Sequence, residues 1–218
     1  YYYKMIAVDS CGDATLQSNI SRTILCKATA NNELTNTVTW NDYETWLGGV
    51  SYYNIYRSID GVVDPNPIAT VPYLGTGYNT YVDDVSSYPP STIGLFTYYI
   101  EAVEGAGNIY TFVDSSYSNI AEVAQKPLVF VPNAFTPNNS GINDEFIPST
   151  GFIDMEEYQF NIFDRWGENI FTTTDRYQGW DGKIGNDKCQ PGVYVWTLTF
   201  KTSTGQYIDL VGTVTLVR

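Results

Sequence analysis

The fold is decided by FTYYIEAVEGAG, residues 96–107, because a second version of this stretch, YYYKMIAVDSCG, occupies residues 1–12. Each copy has an apolar segment, a glycine-containing turn and a second segment that reaches Ser-Asn-Ile, at residues 18–20 and 118–120. This order predicts a β-hairpin in both places. The copies are about 95 to 100 residues apart, which is the size of one β-sandwich module.

The repeat predicts three parts in the chain. Residues 1–26 are expected to be the C-terminal hairpin of a truncated module, and residues 27–126 a complete module of the same kind. A change of sequence style after Gln125-Lys126-Pro127 places the third part at residues 127–218. A lone two-stranded hairpin is only marginally stable in water, so the chain is expected to be the end of a longer protein.

The composition favours pleated sheet throughout. The 218 residues are 43% hydrophobic and 16% aromatic, with 19 tyrosines. Thr, Val, Tyr and Trp dominate the apolar segments, and these residues suit strands. Few segments have apolar residues at helical spacing over the length that a helix needs.

Charge excludes several function classes. The formal net charge is −13, which opposes binding to nucleic acid and to an anionic membrane. The absence of histidine removes the usual general base of serine and cysteine hydrolases and the commonest metal ligand. The sequence has no apolar run of about 18 residues, so direct insertion into a membrane is not expected.

The cysteines do not form a metal motif. Cys11, Cys26 and Cys189 lack CxxC or zinc spacing. In the predicted first hairpin, Cys11 lies near the tip and Cys26 near the open end, so these two cannot form a disulfide. Free or packed thiols are expected.

Short alternating segments fill residues 27–126 and predict an antiparallel β-sandwich. They are TVTW (37–40), SYYNIYRS (51–58), PIATVPY (67–73), NTYVDD (79–84), TYYIEAV (97–103) and a last strand near residues 118–123. The pattern resembles a fibronectin type III module. The resemblance implies a spacer or adhesion unit, in which a surface tyrosine stripe either packs across strands or binds sugar.

A second β-sandwich of about seven strands is predicted after Pro127. Its strands include YQFNIF (158–163), NIF (169–171), VYVWTLTF (193–200) and LVGTVTLVR (210–218), and the last is expected to run to Arg218. Alternation places Tyr158, Phe160 and Ile162 on one face. The fold class is therefore all-β, with tandem antiparallel sandwiches of the fibronectin type III-like or immunoglobulin-like kind.

Five motifs occur in order here: VPNAFTPNNSGINDEF (131–146), FNIFDRWGENIF (160–171), GWDG (179–182), PGVYVW (191–196) and GTVTLVR (212–218). Together they resemble the gliding motility-associated C-terminal domain, the type B sorting domain of the type IX secretion system. The resemblance implies export to the cell surface, with recognition by translocon components and by a porin-like outer-membrane partner. We expect this domain to have no enzyme activity and to require no cofactor.

The motif residues expected to serve recognition or to hold the motifs in shape are Pro132, Asn133, Phe135, Pro137, Gly141, Asn143, Asp144, Arg165, Trp166, Gly167, Trp180, Asp181, Gly182, Gly212, Leu216 and Arg218. The apolar residues of the last strand are expected to pack in the core, with recognition at Arg218. That strand could also lie at a sheet edge and extend a partner's sheet. Arg165 could stack on an indole or pair with Asp164 or Asp181, and a structural turn is the favoured interpretation.

The loop at residues 131–146 has two interpretations. Asn138, Ser140, Asn143 and Asp144 are candidate ligands for a structural calcium ion, which prefers closely spaced oxygen atoms around a glycine turn. Ser140 stands where the related pattern usually has Asp, and the loss of this carboxylate weakens a calcium site. The alternative is a set of Asx turns, with Asn and Asp side chains holding the loop amides.

Two other functions compete with the sorting signal. An adhesin or carbohydrate-binding segment predicts a coplanar strip of exposed aromatic rings. An enzyme fragment would have to use carboxylates such as Asp144 and Glu145. Adjacent residues of a strand point to opposite sides, so these two make a poor acid–base pair unless a turn intervenes.

Overall fold

The computed structural model describes residues 2–18, 20–44, 46–89, 92–109, 111 and 113–218. Tyr1 and Asn19, which belong to the repeated pattern, lie outside the described residues. The described residues form these strands: β1 (Tyr2–Tyr3), β2 (Ile6–Val8), β3 (Ala14–Gln17), β4 (Ser21–Arg22), β5 (Cys26–Ala30), β6 (Thr35–Asn41), β7 (Val50–Ile59), β8 (Val62–Val63), β9 (Ala69–Pro72), β10 (Tyr78–Asp84), β11 (Leu95–Glu104), β12 (Ser115–Tyr117), β13 (Ala121–Ala124), β14 (Leu128–Phe130), β15 (Ala134–Phe135), β16 (Ser149–Gly151), β17 (Ile153–Phe163), β18 (Asn169–Thr173), β19 (Lys183–Ile184), β20 (Asp187–Lys188), β21 (Gly192–Thr202) and β22 (Tyr207–Leu216).

The fold is all-β, as predicted, and it divides into two compact units. One unit contains Tyr1–Ser86 and Phe96–Val123, and the other contains Ser87–Leu95 and Ala124–Arg218. None of the described residues forms a helix that is long and apolar enough to cross a membrane. The division into three parts at residues 26 and 126 stays a prediction.

In the first unit, two antiparallel sheets face each other. One sheet has the order β10-β6-β5, and the other contains β12-β11-β7-β8, with β9 paired to β7 and β13 to β11. Alternation on β6 and β11 turns every second side chain into the core. Trp40 of β6 lies edge-on to Tyr53 of β7, with ring centroids 5.6 Å apart. This is the sandwich that the alternating segments predicted.

Both copies of the repeat form hairpins. In the first, β2 pairs with β3 and β1 with β4, and in the second, β11 pairs with β12. Cys11 lies exposed in the tip between β2 and β3, and Cys26 is buried at the start of β5. Both thiols and that of Cys189 are free, as the sequence predicted. Burial raises the pKa of Cys26 to about 11, so this thiol is inert at neutral pH.

The second unit is built on a five-stranded sheet with the order β15-β22-β21-β17-β18. Two-stranded sheets β14-β16 and β19-β20 complete it, so the unit has more strands than the seven predicted. The pairing of β15 with β22 is parallel, in a sheet whose other pairings are antiparallel, as predicted. Two-residue β15 has no alternating pattern, and the pairing joins residues about 80 positions apart, so local sequence could not reveal it.

The core of the second unit is aromatic. Tyr158, Phe160 and Ile162 of β17 are buried on one face, as the alternation predicted. Trp180, Leu198 and Leu216 join them in the same cluster. The last strand ends at Leu216, so Val217 and Arg218 lie beyond it.

The segment at residues 87–95 belongs to the second unit and covers Phe152. The Phe152 N–H donates to the Pro89 carbonyl at 3.0 Å, and the Gln125 N–H donates to the Gly94 carbonyl at 2.9 Å. A Cβ on Gly94 would lie 2.8 Å from the Cβ of Phe152, so glycine is required at this contact. Phe152, whose φ is 54°, is itself fully buried.

Candidate functional site

The carboxylate of Asp144 organises the loop at residues 131–146. Its Oδ1 accepts the N–H groups of Asn138 and Asn139 at 2.9 and 2.7 Å, and its Oδ2 accepts that of Gly141 at 2.6 Å. The loop also relies on left-handed backbone at Asn139, Gly141 and Asn143. The arrangement is that of an Asx-turn network.

The same hydrogen bonds govern the charge of Asp144. Partial desolvation raises its pKa, but the N–H groups of Gly141, Asn138 and Asn139 outweigh this and hold the pKa below its usual value. A calcium ion would need six to eight oxygen ligands. No cluster of three or more acidic, histidine or cysteine side chains with metal-binding geometry occurs among the described residues. Calcium at Asn138, Ser140, Asn143 and Asp144 stays a prediction.

Three of the sequence motifs meet around Gly182. At this position φ is 75°, and a Cβ would lie 3.1 Å from Pro137, 3.2 Å from Leu216 and 3.5 Å from Phe135. The Gly182 carbonyl accepts a hydrogen bond from the Arg218 guanidinium at 3.0 Å. The packing explains why glycine, proline and leucine stand at these positions, and it fixes the place of Arg218.

The start of the loop is joined to the last strand by backbone hydrogen bonds. The Thr215 N–H donates to the Asn133 carbonyl at 2.9 Å, and the Val217 N–H donates to the Phe135 carbonyl at 3.0 Å. Pro132, just before this contact, is half-buried. The end of β22, from Thr215 onward, therefore lies between β15 and β21. The part of β22 before Thr215 has β21 on one side and no strand on the other among the described residues, so this part forms an edge of the sheet. This limits the predicted sheet extension to Tyr207–Val214.

Gly212 makes room for a tryptophan. A Cβ at this position would lie 2.4 Å from Cζ2 of Trp196, the residue opposite it on β21. The side chain of Trp196 therefore lies across the last strand, and both Trp196 and Trp180 are buried in the core, as predicted.

The turn after β17 is held by Asp164. Its Oδ1 accepts the N–H groups of Trp166 and Glu168 at 2.8 and 2.9 Å, and its carbonyl accepts that of Gly167 at 3.1 Å. Within the described part of the chain, Arg165 forms no ion pair with Asp164 or Asp181; Asp181 pairs with Lys183 at 2.5 Å. The Asp164 side chain, and not Arg165, is therefore the structural lock of this turn.

Trp166 points away from the core and is 85% exposed. With Arg165, Lys188, Cys189 and Tyr194 it lines a polar pocket of about 360 Å³, called here the Tyr194 pocket. Burial raises the pKa of Tyr194, and the charges of Arg165 and Arg218 oppose that rise, so both guanidinium groups act on this hydroxyl. The arrangement combines an exposed indole with several cations.

The tyrosines of the first unit pack against each other. Tyr56 and Tyr99 are cross-strand partners whose rings stack at 4.7 Å with an interplanar angle of 5°. The hydroxyl groups of Tyr56 and Tyr117 donate to Glu101 at 3.0 and 2.9 Å. Tyr56 and Tyr99 are only partly exposed and stack on each other, which is the cross-strand packing that the sequence offered as one interpretation.

Sequence reasoning did not find the Tyr194 pocket as a site. Cys189 and Lys188 lie outside every motif, and Tyr194 is predicted only as part of PGVYVW. The combined effect of Arg165 and Arg218 on the Tyr194 hydroxyl depends on tertiary packing, which no local pattern reveals.

Comparison with known families identifies the second unit. Residues 129–216 match the family model described as the CHU_C type IX secretion signal domain. This match indicates a secreted protein with a type IX export signal, and such a signal implies export across the outer membrane to the cell surface or the extracellular space. No curated protein matches the chain.

Several solved structures are similar to this chain at low TM-scores. One is the tetra-tandem repeat in the extending region of a large adhesion protein, with 17% identity, a TM-score of 0.41, and coverage of 99% of this chain and 56% of the other. Another is chicken CNTN1 FN1–FN3, with 13% identity, a TM-score of 0.37, and coverage of 91% and 66%. A third is dimeric latent PorU from Porphyromonas gingivalis, with 14% identity, a TM-score of 0.29, and coverage of 90% and 20%. This chain thus spans less than two thirds of each of these structures.

Proposed function

We propose that residues 127–218 act as the export and surface-attachment signal of a secreted protein, and that the module at residues 27–126 serves as a spacer. The signal would be read by translocon components of the type IX secretion system and by a porin-like outer-membrane partner. The observation that carries this proposal is the secretion-signal match over residues 129–216.

The Tyr194 pocket is the proposed contact surface. Arg165, Lys188 and Arg218 supply positive charge beside it, although the chain as a whole has a net charge of −13. An exposed tryptophan beside arginine is the combination that most often anchors a protein interface. The Trp166 side chain is not packed in the core, so it would be buried only by a bound partner. Its exposure therefore supports a role in recognition.

Deletion of GTVTLVR, residues 212–218, is expected to stop export. This deletion removes Val214 and Leu216 from the core, so it would also unfold the unit and could not separate folding from recognition. Point substitutions on the surface make a sharper test, because Arg165 and Trp166 are exposed and the turn that holds them depends on the Asp164 side chain.

The test fuses the full chain to a secreted passenger in a host that has this secretion system, and measures the passenger on intact cells. We expect Trp166→Ala with Arg165→Ala to lower surface display by about tenfold or more, as loss of an interface anchor does. Met155→Ala with Lys126→Ala is the matched control, since these residues are also exposed but do not line the Tyr194 pocket. Equal display by both double variants, with unchanged thermal unfolding, would contradict the proposed contact surface.

We also infer that the loop at residues 131–146 is held by its own amides and needs no cofactor. The three N–H groups bound by Asp144 support this. Calcium would compete with these N–H groups for the same two oxygen atoms.

A further inference from the structure

A pocket of about 600 Å³ opens beside the two-stranded sheet β14-β16, on a part of the second unit that no motif covers. Leu128, Phe130 and Ile147 give it an apolar wall, while Thr150 and Arg176 contribute polar groups. This volume and this mixture are typical of sites for small molecules.

Arg176 is unusual because it is a buried cation without an anion. The side chain is only 8% exposed, and its Nη2 donates to the Thr150 carbonyl. The ion pairs found among the described residues belong to Arg22, Arg57 and Lys183, so no carboxylate neutralises Arg176. The ring of Tyr177 lies 5.2 Å from its guanidinium carbon, which compensates the charge only in part. Burial of an unpaired charge is costly, and a bound anion would remove that cost.

Three polar atoms of Arg176 and Thr150 have no hydrogen-bond partner among the described residues. Nε and Nη1 of Arg176 donate to no group among the described residues, yet neither nitrogen is fully enclosed. The Thr150 hydroxyl is buried and has no hydrogen-bond partner. The two guanidinium nitrogens without a partner are planar donors of the kind that hold a carboxylate.

We propose that this pocket binds a small amphiphilic carboxylate, with the headgroup on Arg176 and the apolar body against Leu128, Phe130 and Ile147. The Arg176 guanidinium, which has no ion-pair partner among the described residues, favours an anionic headgroup. The apolar side chains that line the pocket favour an apolar body. Arginine presents flat, paired donors that match a carboxylate, and the pocket has room for an aliphatic chain or one or two rings. The proposal is independent of the export role, because it uses none of the residues around the Tyr194 pocket.

The experiment titrates the full chain with octanoate and follows the amide and side-chain NMR signals of Thr150 and Arg176. Octan-1-ol and octylammonium are the matched ligands, since they share the alkyl chain but carry no charge or the opposite charge. We expect saturable binding of octanoate, at least about tenfold tighter than that of either matched ligand, as for a charge-assisted hydrogen bond.

Two variants locate the binding. Arg176→Met should weaken octanoate binding by about tenfold or more. Because Arg176 also holds the Thr150 carbonyl, Phe130→Ser serves as a second variant: Phe130 is 68% exposed, so the unit should still fold while the apolar wall is lost. Lys201→Met, at a lysine of the same unit that does not line this pocket, should leave binding unchanged. The proposal is overturned if octanoate does not saturate, if octan-1-ol binds as tightly, or if a folded Arg176→Met chain binds octanoate like the unaltered chain.

Discussion

Single residues hold the second unit together through very different interactions. Asp144 acts through charge, since its carboxylate accepts three backbone N–H groups. Gly182 and Gly212 act through the absence of a side chain, because a Cβ at either position would enter occupied space. Sequence reasoning predicted these residues as motif members and offered Asx turns for the loop. It could not supply the reason for the glycines, since Trp196 and Pro137 reach them only after folding.

Asp144→Asn should make the unit less stable at neutral pH. The pKa of Asp144 is lowered in the folded chain, so its carboxylate stabilises the fold above the ordinary value of 3.8. That contribution is lost as the pH falls through the lowered pKa, so the difference in thermal midpoint between the two chains should shrink on acidification. Thermal unfolding from pH 7 to pH 2.5 measures it.

Glu145→Gln is the matched control for Asp144→Asn, because the exposed neighbour accepts no loop amide among the described residues. A constant difference in midpoint at all pH values would contradict the role of the carboxylate. Addition of calcium or of a chelator should leave the midpoint of the unaltered chain unchanged, and a clear rise with calcium would restore the ion as the organiser of the loop.

Gly212→Ala should destabilise the second unit by about 1–3 kcal/mol, the usual cost of overpacking. The added methyl group would lie 2.4 Å from the Trp196 ring. The double variant Gly212→Ala with Trp196→Phe should recover part of the loss, because the smaller ring vacates that space. Chemical denaturation measures Gly212→Ala, Trp196→Phe and the double variant against the unaltered chain, with Thr213→Ala as an exposed control on the same strand. Additive effects would show that the two side chains do not meet.

At the scale of strands, alternation located the long elements and missed the short ones. VYVWTLTF and YQFNIF lie within β21 and β17, because each long strand buries one face and a period of two then appears in the sequence. Strand β15 has only two residues and shows no such period, yet it forms the edge of the sheet beside β22. The pocket beside β14-β16 also escaped prediction, since Arg176 and Phe130 are distant in sequence.

The two sheets of the first unit are joined by a buried ion pair. Arg57 of β7 donates to both carboxylate oxygens of Asp83 on β10, at 2.9 and 2.8 Å, and the Tyr98 hydroxyl donates to the same carboxylate at 2.7 Å. Asp83→Asn should cost about 3–5 kcal/mol, because it removes the buried carboxylate that accepts both the Arg57 guanidinium and the Tyr98 hydroxyl. Chemical denaturation measures this loss.

Asp84→Asn is the control for that prediction, since Asp84 is the next residue on β10 and faces solvent. It should change the free energy of unfolding by much less than Asp83→Asn. Similar effects from both substitutions would mean that the link between the sheets contributes little.

For the whole molecule, the compact units do not coincide with continuous stretches of sequence. Residues 87–95 belong with residues 124–218 and cover Phe152. No local pattern could indicate this, since the segment has neither strand alternation nor a motif. Composition and alternation did predict the all-β fold, the cysteine positions predicted the free thiols, and the five motifs predicted export.

An isolated fragment of residues 127–218 should be less protected than the same residues in the full chain. Without Pro89 and Gly94, the Phe152 N–H loses its acceptor and the ring loses its cover. Amide hydrogen exchange at Phe152 should therefore be faster in the fragment, while exchange at Leu198, in the centre of the sheet, should change little. Equal exchange at Phe152 in both chains would show that the segment contributes no stability.

The position of β22 has a consequence for biosynthesis. A ribosome makes this strand after every other strand of the unit, yet β22 pairs with both β15 and β21 and delivers Val214 and Leu216 to the core. A nascent chain that stops early, through a nonsense codon or stalled translation, lacks the strand that joins its neighbours. Under the proposed export role, a chain that lacks β22 would not form the folded signal and would not be exported.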